Sequence, residues 1–279
     1  MPGTVICCAN NKGGIGKTCL ACHLAVGLAK NQQRVLVIDN DAQCNATSML
    51  LPTNTLIRRS LYELYEQNPS DSGDMPTSVY PSKYQGLYCI PNVEQTSGLE
   101  LELASSYPDS LLTLRNAVRD FAVSEFDYTI IDCPPTLSLF VANALYASDF
   151  TIVPIDAGSA YSLDGLRKVL ELISSVQASG NPDLNTFRLL INRVDKRTAI
   201  SRIILDDIRQ RFSEGQVLNT TIPVNTAFQQ AEYANETVFR YHATSRGAKA
   251  YRALAREVMD VAQHQRINHA KKKFGGQNS

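Results

Sequence analysis

Short runs of apolar and β-branched residues alternate along this chain with longer stretches in which apolar positions recur every three or four residues. The short runs, Val5–Ala9, Val35–Asp39, Leu87–Pro91, Tyr128–Asp132, Phe150–Pro154 and Arg188–Asn192, predict strands. The longer stretches predict helices over Thr18–Lys30, Ser110–Ala122, Ser138–Ala147, Ser159–Gln177, Ala199–Phe212 and about Ser245–Gln265. A further short apolar run covers Val217–Ile222. The strands are apolar almost throughout, as they must be when helices cover both faces of a sheet. The expected fold is therefore α/β, a doubly wound, mostly parallel sheet flanked by helices. One break in composition, Glu66–Gln85 (EQNPSDSGDMPTSVYPSKYQ), reads as a polar loop excursion, because the α/β alternation resumes unchanged after it. Residues 1–266 are expected to form one domain, followed by a basic, mobile tail over 267–279.

Composition adds little that is unusual. With 279 residues, 44% of them hydrophobic and 19% charged, the chain is that of an ordinary globular protein able to bury a large core. No stretch approaches the roughly 20 apolar residues of a membrane span. Met1-Pro2-Gly3-Thr4 leads straight into a strand with neither a basic start nor a cleavable apolar segment, so the expected location is cytoplasmic, nucleoid-associated in a prokaryote. Seven scattered cysteines are not a disulfide framework, and Cys19-x-x-Cys22 falls in a helix where small buried side chains are the simplest reading. Net charge is zero, yet from Arg240 onward nine basic residues face two acidic ones. That end is either a footprint for a polyanion or an ordinary solvated helix face.

The chemistry concentrates in residues 10–19, Asn-Asn-Lys-Gly-Gly-Ile-Gly-Lys-Thr-Cys, which follow a strand and open a helix. Glycines there let successive backbone N–H groups surround phosphates, and the helix N-terminus adds partial positive charge. Lys17 is expected to reach the β- and γ-phosphates of ATP and Thr18 to place its hydroxyl on Mg²⁺. The glycine that usually opens such a loop is replaced by Asn11, and a second lysine, Lys12, comes next. Lys17 already serves the chain's own nucleotide, so Lys12 is better placed to reach one held by a partner subunit. Asn11, Lys12, Gly13, Gly14, Ile15, Gly16, Lys17, Thr18 and Cys19 form the expected nucleotide cradle.

Two strands end in carboxylates. Asp39 and Asp41, two apart at a strand exit, would set one acid near the metal's water shell and the other near an attacking water; a turn using Asp and Asn for local hydrogen bonds is the plainer alternative. Tyr128-Thr129-Ile130-Ile131-Asp132 is an apolar strand ending in an acid, the pattern that holds Mg²⁺ through a water, and Pro134-Pro135 stiffen its exit. Thr18, Asp39 and Asp132 are thus the expected metal side.

Lys12–Thr18 (KGGIGKT), Asp39–Thr47 (DNDAQCNAT) and Ile130–Pro135 (IIDCPP) together resemble the deviant Walker-A ATPases of the ParA/Soj branch, and the likeness continues through Leu137–Leu145, Asp149–Pro154, Thr221–Asn225 and Ser245–Leu254. The resemblance implies an ATP-sandwich homodimer in which Lys12 touches the partner's nucleotide, Lys17 the chain's own, and Asp41 positions the hydrolytic water. It places Asn192 and Pro223 against adenine. It further implies non-specific DNA binding in the ATP state, release on hydrolysis stimulated by a ParB-like or adaptor protein, and positioning of plasmids, chromosomes or other cargo. Candidate DNA contacts are Arg193, Lys196, Arg197 and Arg202 in one group and Arg240, Arg246, Lys249 and Arg252 in another. The chain departs from the family at Ala42, Cys44 and Cys19, which stand for Pro, Gly and Thr. Rival readings are a membrane-positioning relative such as MinD, an electron-transfer ATPase like the nitrogenase iron protein using Cys133, and an ATP-dependent amide-forming enzyme. Ile267 and Phe274 alone make too thin an apolar stripe for a membrane, so no membrane contact is expected.

Overall fold

A computed structural model describes residues 2–66, 75–159, 162–182, 184 and 186–275. In chain order the elements are β1 (Thr4–Cys8), α1 (Lys17–Ala29), β2 (Val35–Asp39), α2 (Asn45–Leu50), α3 (Leu61–Glu66), β3 (Tyr80–Pro81) and β4 (Leu87–Ile90). There follow α4 (Leu99–Ser105), α5 (Thr113–Glu125), β5 (Tyr128–Asp132), α6 (Leu139–Ala147), β6 (Phe150–Asp156) and α7 (Ser162–Ser179). The last are β7 (Thr186–Asn192), α8 (Ala199–Arg211), α9 (Thr226–Tyr233), α10 (Val238–Tyr241) and α11 (Arg246–Gly275). Among the described residues seven strands form one sheet in the order β3-β4-β2-β5-β1-β6-β7, parallel except for the β3 edge. The expected doubly wound sheet is the one observed.

Its strands are apolar because each face has its own core. Val5, Cys7 and Ala9 point with Leu36 and Ile38 into the layer under α5, α6 and α7, while Ile6, Cys8, Val35 and Val37 pack beneath α1 and α11. Alternation of buried side chains to opposite faces follows from the period of two along a strand.

The α1–α11 side is tied together by His23. Its Nδ1–H donates to the Cys19 carbonyl at 2.7 Å, its Nε2 accepts from the Val238 N–H at 3.0 Å, and its ring stacks 4.9 Å from that of Tyr251. Burial pulls its pKa down to about 4 against the backbone bond to Cys19, so it is neutral in the fold. A histidine whose pKa is lower folded than unfolded stabilises the fold fully above about 6.5 and loses that contribution as pH falls toward about 4, on the order of 3 kcal/mol at the limit. Comparing the pH dependence of unfolding in wild type and His23→Gln reads this directly. The wild-type stability is expected to drop relative to the variant between those two pH values.

Several elements differ from expectation at their limits. β6 and β7 are longer, each seven residues. Val217–Ile222 forms no strand; it contributes isolated bridges at Leu189–Val217 and Val194–Pro223. β3 lies inside the stretch expected to be a loop, of which residues 67–74 are outside the described residues. The last helix does not stop near Gln265 but continues to Gly275, into the segment expected to be tail; residues 276–279 are outside the described ones. Among the described residues no helix is long and apolar enough to cross a membrane.

Candidate nucleotide site

β1 sits between β5 and β6, so the loop that follows it emerges at the carboxyl edge of the sheet, where ligands bind in doubly wound folds. Asn10 ties the loop's start to β6 by donating from Nδ2 to the Pro154 carbonyl at 2.7 Å. Gly14 and Gly16 have φ of 72° and 87°, in the left-handed region. At Gly16 a Cβ would also lie 2.8 Å from Asn192 Nδ2, which donates to the Ile15 carbonyl at 2.7 Å. A side chain there is excluded twice over. Gly16 caps α1 without a side-chain bond and the first turn of that helix carries no acid, so no side chain of that turn competes with an anion for its N–H groups.

The two lysines diverge. Lys17 is buried and its Nζ donates to the Lys12 carbonyl at 2.9 Å, inside the turn of the loop. Burial pulls its pKa down, opposed chiefly by the Asp132 carboxylate. Lys12 sends its own Nζ the other way, to Ser159 Oγ at 3.0 Å beyond the end of β6.

Asp39 and Asp132 stand side by side at the ends of β2 and β5. Asp39 Oδ2 accepts from the Thr47 N–H and hydroxyl, both at 2.7 Å, and its Oδ1 accepts from the Asp41 N–H at 3.3 Å. Burial raises its pKa to about 6 even so. Asp132 is fully buried, and among the described residues the Thr18 hydroxyl is the side chain that hydrogen-bonds its carboxylate. Burial raises its pKa well above the usual range and the Asp39 carboxylate adds to this; the neighbouring Thr18 hydroxyl and Lys17 oppose it. A buried acid as little compensated as Asp132, set beside a second buried acid, calls for a cation. Among the described residues no group of three or more potential ligands could hold a metal unaided. One carboxylate, one hydroxyl and phosphate oxygens is nonetheless the donor set that Mg²⁺ uses on nucleotides, and Asp132 with Thr18 supplies the protein's share.

Asp41 is half-buried, and its Oδ1 accepts from the Gln43 N–H at 3.1 Å, closing the turn that leads to α2. Cys44, at the family's glycine position, has φ of 56°. A left-handed residue there explains why glycine suits it, and a side chain in that conformation costs about 1 kcal/mol.

Asn192 lies against the loop through its bond to Ile15. Pro223 pairs with Val194, two residues beyond Asn192. Of the first basic group, Arg193, Lys196, Arg197 and Arg202 are exposed, but Arg193 meets Asp156 at 3.4 Å and Arg197 is held by Asp195 at 2.7 Å. In the second, Arg240, Arg246 and Lys249 are exposed, with Arg240 3.4 Å from Glu236, and the Arg252 guanidinium covers the Phe239 ring at 5.3 Å. Lys30 approaches the same ring at 6.0 Å, and Lys83 donates to the Asn235 carbonyl at 2.7 Å. These two lysines extend the second group. Neither was foreseeable, since each is more than 150 residues away along the chain. Sequence reading also missed Thr47, Asn10 and Ser159, polar residues whose partners are set only by the fold.

Cys133, on which the iron–sulfur reading depended, is buried with its Sγ 3.4 Å from that of Cys7, and so cannot reach a cluster shared with a second subunit. Cys22 is buried as expected, and Cys19 is half-buried beside His23.

Comparison with known proteins identifies the family. A family model described as an AAA domain matches residues 3–186. The chromosome partitioning protein ParA of Myxococcus xanthus is 34% identical, covering 92% of this chain and 88% of its own length. The chromosome-partitioning ATPase Soj of Thermus thermophilus is 36% identical, covering 91% and 94%. Among solved structures, a cobyrinic acid a,c-diamide synthase from Mycobacterium smegmatis with bound ADP and magnesium superposes with a TM-score of 0.75 at 28% identity, covering 92% of this chain and 94% of its own. The chain belongs to the ParA/Soj family of partitioning ATPases within the ParA/MinD superfamily.

Proposed function

We propose that this protein is an ATP-driven partition switch: it pairs with a second copy across bound ATP and Mg²⁺, holds DNA without sequence preference while paired, and lets go after hydrolysis stimulated by a partner protein. The observation that carries this reading is the divergence of the two lysines. Lys17 donates back into the chain's own loop, whereas Lys12 directs its ammonium out of the loop to Ser159.

Bound Mg²⁺ would neutralise charge developing on the phosphates. The loop N–H groups and Lys17 hold the β- and γ-phosphates, Thr18 and Asp132 supply oxygens to the cation, and Asp41 orients the attacking water. Asn192 and Pro223 flank the base. Lys12, released from Ser159, reaches the nucleotide on the other subunit. The test is ATP turnover and self-association measured with DNA and with a candidate partner, separately and together. Turnover indifferent to both would leave the positioning role without support, though not the nucleotide site.

For DNA, retention should require ATP and weaken linearly in log salt. Arg240→Glu with Lys249→Glu should reduce that slope by about 0.9 for each phosphate these side chains neutralise, equally on unrelated sequences. Retention that ignores ATP or salt removes the DNA half of the reading. The amide-forming alternative rests on the name of the superposed synthase. Glutamine- and ATP-dependent amidation of a carboxylate substrate would favour it, and Lys12, unneeded for that chemistry, speaks for partition.

A further inference from the structure

A cavity of about 600 Å³ opens at the C-terminal end of α1, about 20 Å along that helix from the phosphate loop. Its lining includes Lys30, Arg34 and Lys83 together with Gln33, Gln85 and Tyr84, and among the described residues no carboxylate takes part. Arg34 is tied to Glu125 at 3.2 Å and lies 4.9 Å from the centre of the Phe126 ring. Lys30 and Lys83 are placed against a ring and a carbonyl rather than an acid, so both charges stay available to an anion. Glu236, which attracts Lys83, already accepts from the Tyr84 hydroxyl at 2.9 Å and pairs with Arg240 at 3.4 Å.

The cavity wall leads to two solvent-facing rings. The Tyr84 hydroxyl accepts from the Thr237 N–H at 2.9 Å, which fixes the turn between α9 and α10 against the cavity. Within that turn Asn235, the acceptor for Lys83, has φ of 51°. Tyr233 ends α9 and Tyr241 ends α10, each four residues from Thr237. Tyr233 is 93% exposed and Tyr241 47%. A single exposed aromatic needs no explanation. Two of them beside an acid-free basic cavity make the combination of stacking surface and phosphate-binding charge that an unpaired nucleic-acid strand uses.

We infer that this face holds single-stranded DNA: Lys30 and Lys83 meet phosphates, a nucleotide unit enters the cavity, and Tyr233 and Tyr241 stack on unpaired bases. Cavity size selects the strand. The volume lies in the range of small-ligand pockets, so a nucleotide fits and a duplex does not. Stacking selects it again, because in a duplex the base faces that a tyrosine would cover are already stacked on one another. The inference rests on the proposed DNA-holding role for its place in partition, while the binding of an unpaired strand stands or falls by itself.

The probe is fluorescent oligothymidine, titrated by anisotropy onto the full chain with a non-hydrolysable ATP analogue present, beside a duplex of the same length and oligouridine. Wild type is expected to bind oligothymidine with a log–log salt slope of about 0.7 for each phosphate held, against about 0.9 for a duplex. The Tyr233→Ala/Tyr241→Ala variant, its fold checked by nucleotide binding, should bind oligothymidine about tenfold or more weakly and retain duplex as wild type does. Tyr233→Phe/Tyr241→Phe keeps both rings and should bind oligothymidine unchanged. Lys30→Gln/Lys83→Gln should lower the oligothymidine slope by about 0.7 for each phosphate released. Unchanged oligothymidine affinity in the alanine variant overturns the stacking site, and so does an equal loss on oligothymidine and duplex. Tight oligouridine binding without oligothymidine binding assigns the face to RNA and overturns the DNA assignment. Duplex retention with no oligothymidine binding overturns the inference and leaves the proposed function intact. Oligothymidine binding with no duplex retention removes the duplex from that function and leaves the single-strand site standing.

Discussion

Asp132→Asn is expected to lower Mg²⁺-dependent ATP turnover by about 10²-fold or more while making the nucleotide-free protein more stable. The first effect follows from taking away the carboxylate oxygen that Asp132 offers the cation, for which the neutral asparagine carbonyl is a weaker ligand. The second follows from burial. Asp132 has no solvent and lies beside Asp39, and the Thr18 hydroxyl and Lys17 offset its burial only in part, so its charge opposes folding until a cation arrives. Asparagine keeps the shape and removes the charge. Thermal unfolding without nucleotide should therefore shift up by several degrees, and the stabilisation that ATP and Mg²⁺ give wild type should shrink. The sign with pH follows from the raised carboxyl of Asp39: its contribution to stability is full below the unfolded value near 3.8 and lost as pH rises through about 6. It runs opposite to that of His23 across nearly the same interval, while Asp132, raised well above the usual carboxylate range, acts in the same sense as Asp39, so the nucleotide-free wild type should lose stability relative to Asp132→Asn as pH rises. An Asp132→Asn protein no more stable than wild type would mean that the two acids are compensated in a way the geometry does not reveal.

The sheet and the phosphate loop were legible because their signals are local. Four successive apolar or β-branched residues before Asp132, and glycines at 13, 14 and 16 before Lys17, each specify their own conformation. The short helices α2, α3, α4, α9 and α10 were not foreseen, since segments of four to eight residues hold too few turns to display a period and are stable only by tertiary packing. The two-residue edge strand β3 carries Pro81, which argues against a strand except at an edge, where this one lies. The partners of the site residues were illegible for a different reason. Asn192 bonding Ile15 and Lys30 sharing Phe239 with Arg252 are juxtapositions between distant parts of the chain. The polar residue type is visible in sequence, but the hydrogen-bond partner it satisfies is not.

Lys12→Gln is the sharper test of the switch, because it separates two events that Lys17→Ala would abolish together. Lys12 serves the chain's own loop through its backbone, whose carbonyl accepts from Lys17, and that bond survives any side-chain change. Its ammonium rests on Ser159, a neutral hydroxyl whose bond is worth about 1 kcal/mol. Transfer from that hydroxyl to a triphosphate on a second subunit exchanges a neutral hydrogen bond for a charge-assisted one, which is the stronger interaction and exists only in the pair. The variant should therefore bind a non-hydrolysable ATP analogue almost as wild type does, remain monomeric by light scattering where wild type pairs, and turn ATP over about 10³-fold more slowly if this lysine acts as an arginine finger does. Lys17→Ala should fail at the earlier step and bind no nucleotide. If Lys12→Gln still pairs when ATP is added, its side chain does not bridge subunits, and the bridge across the nucleotide must be made by other groups.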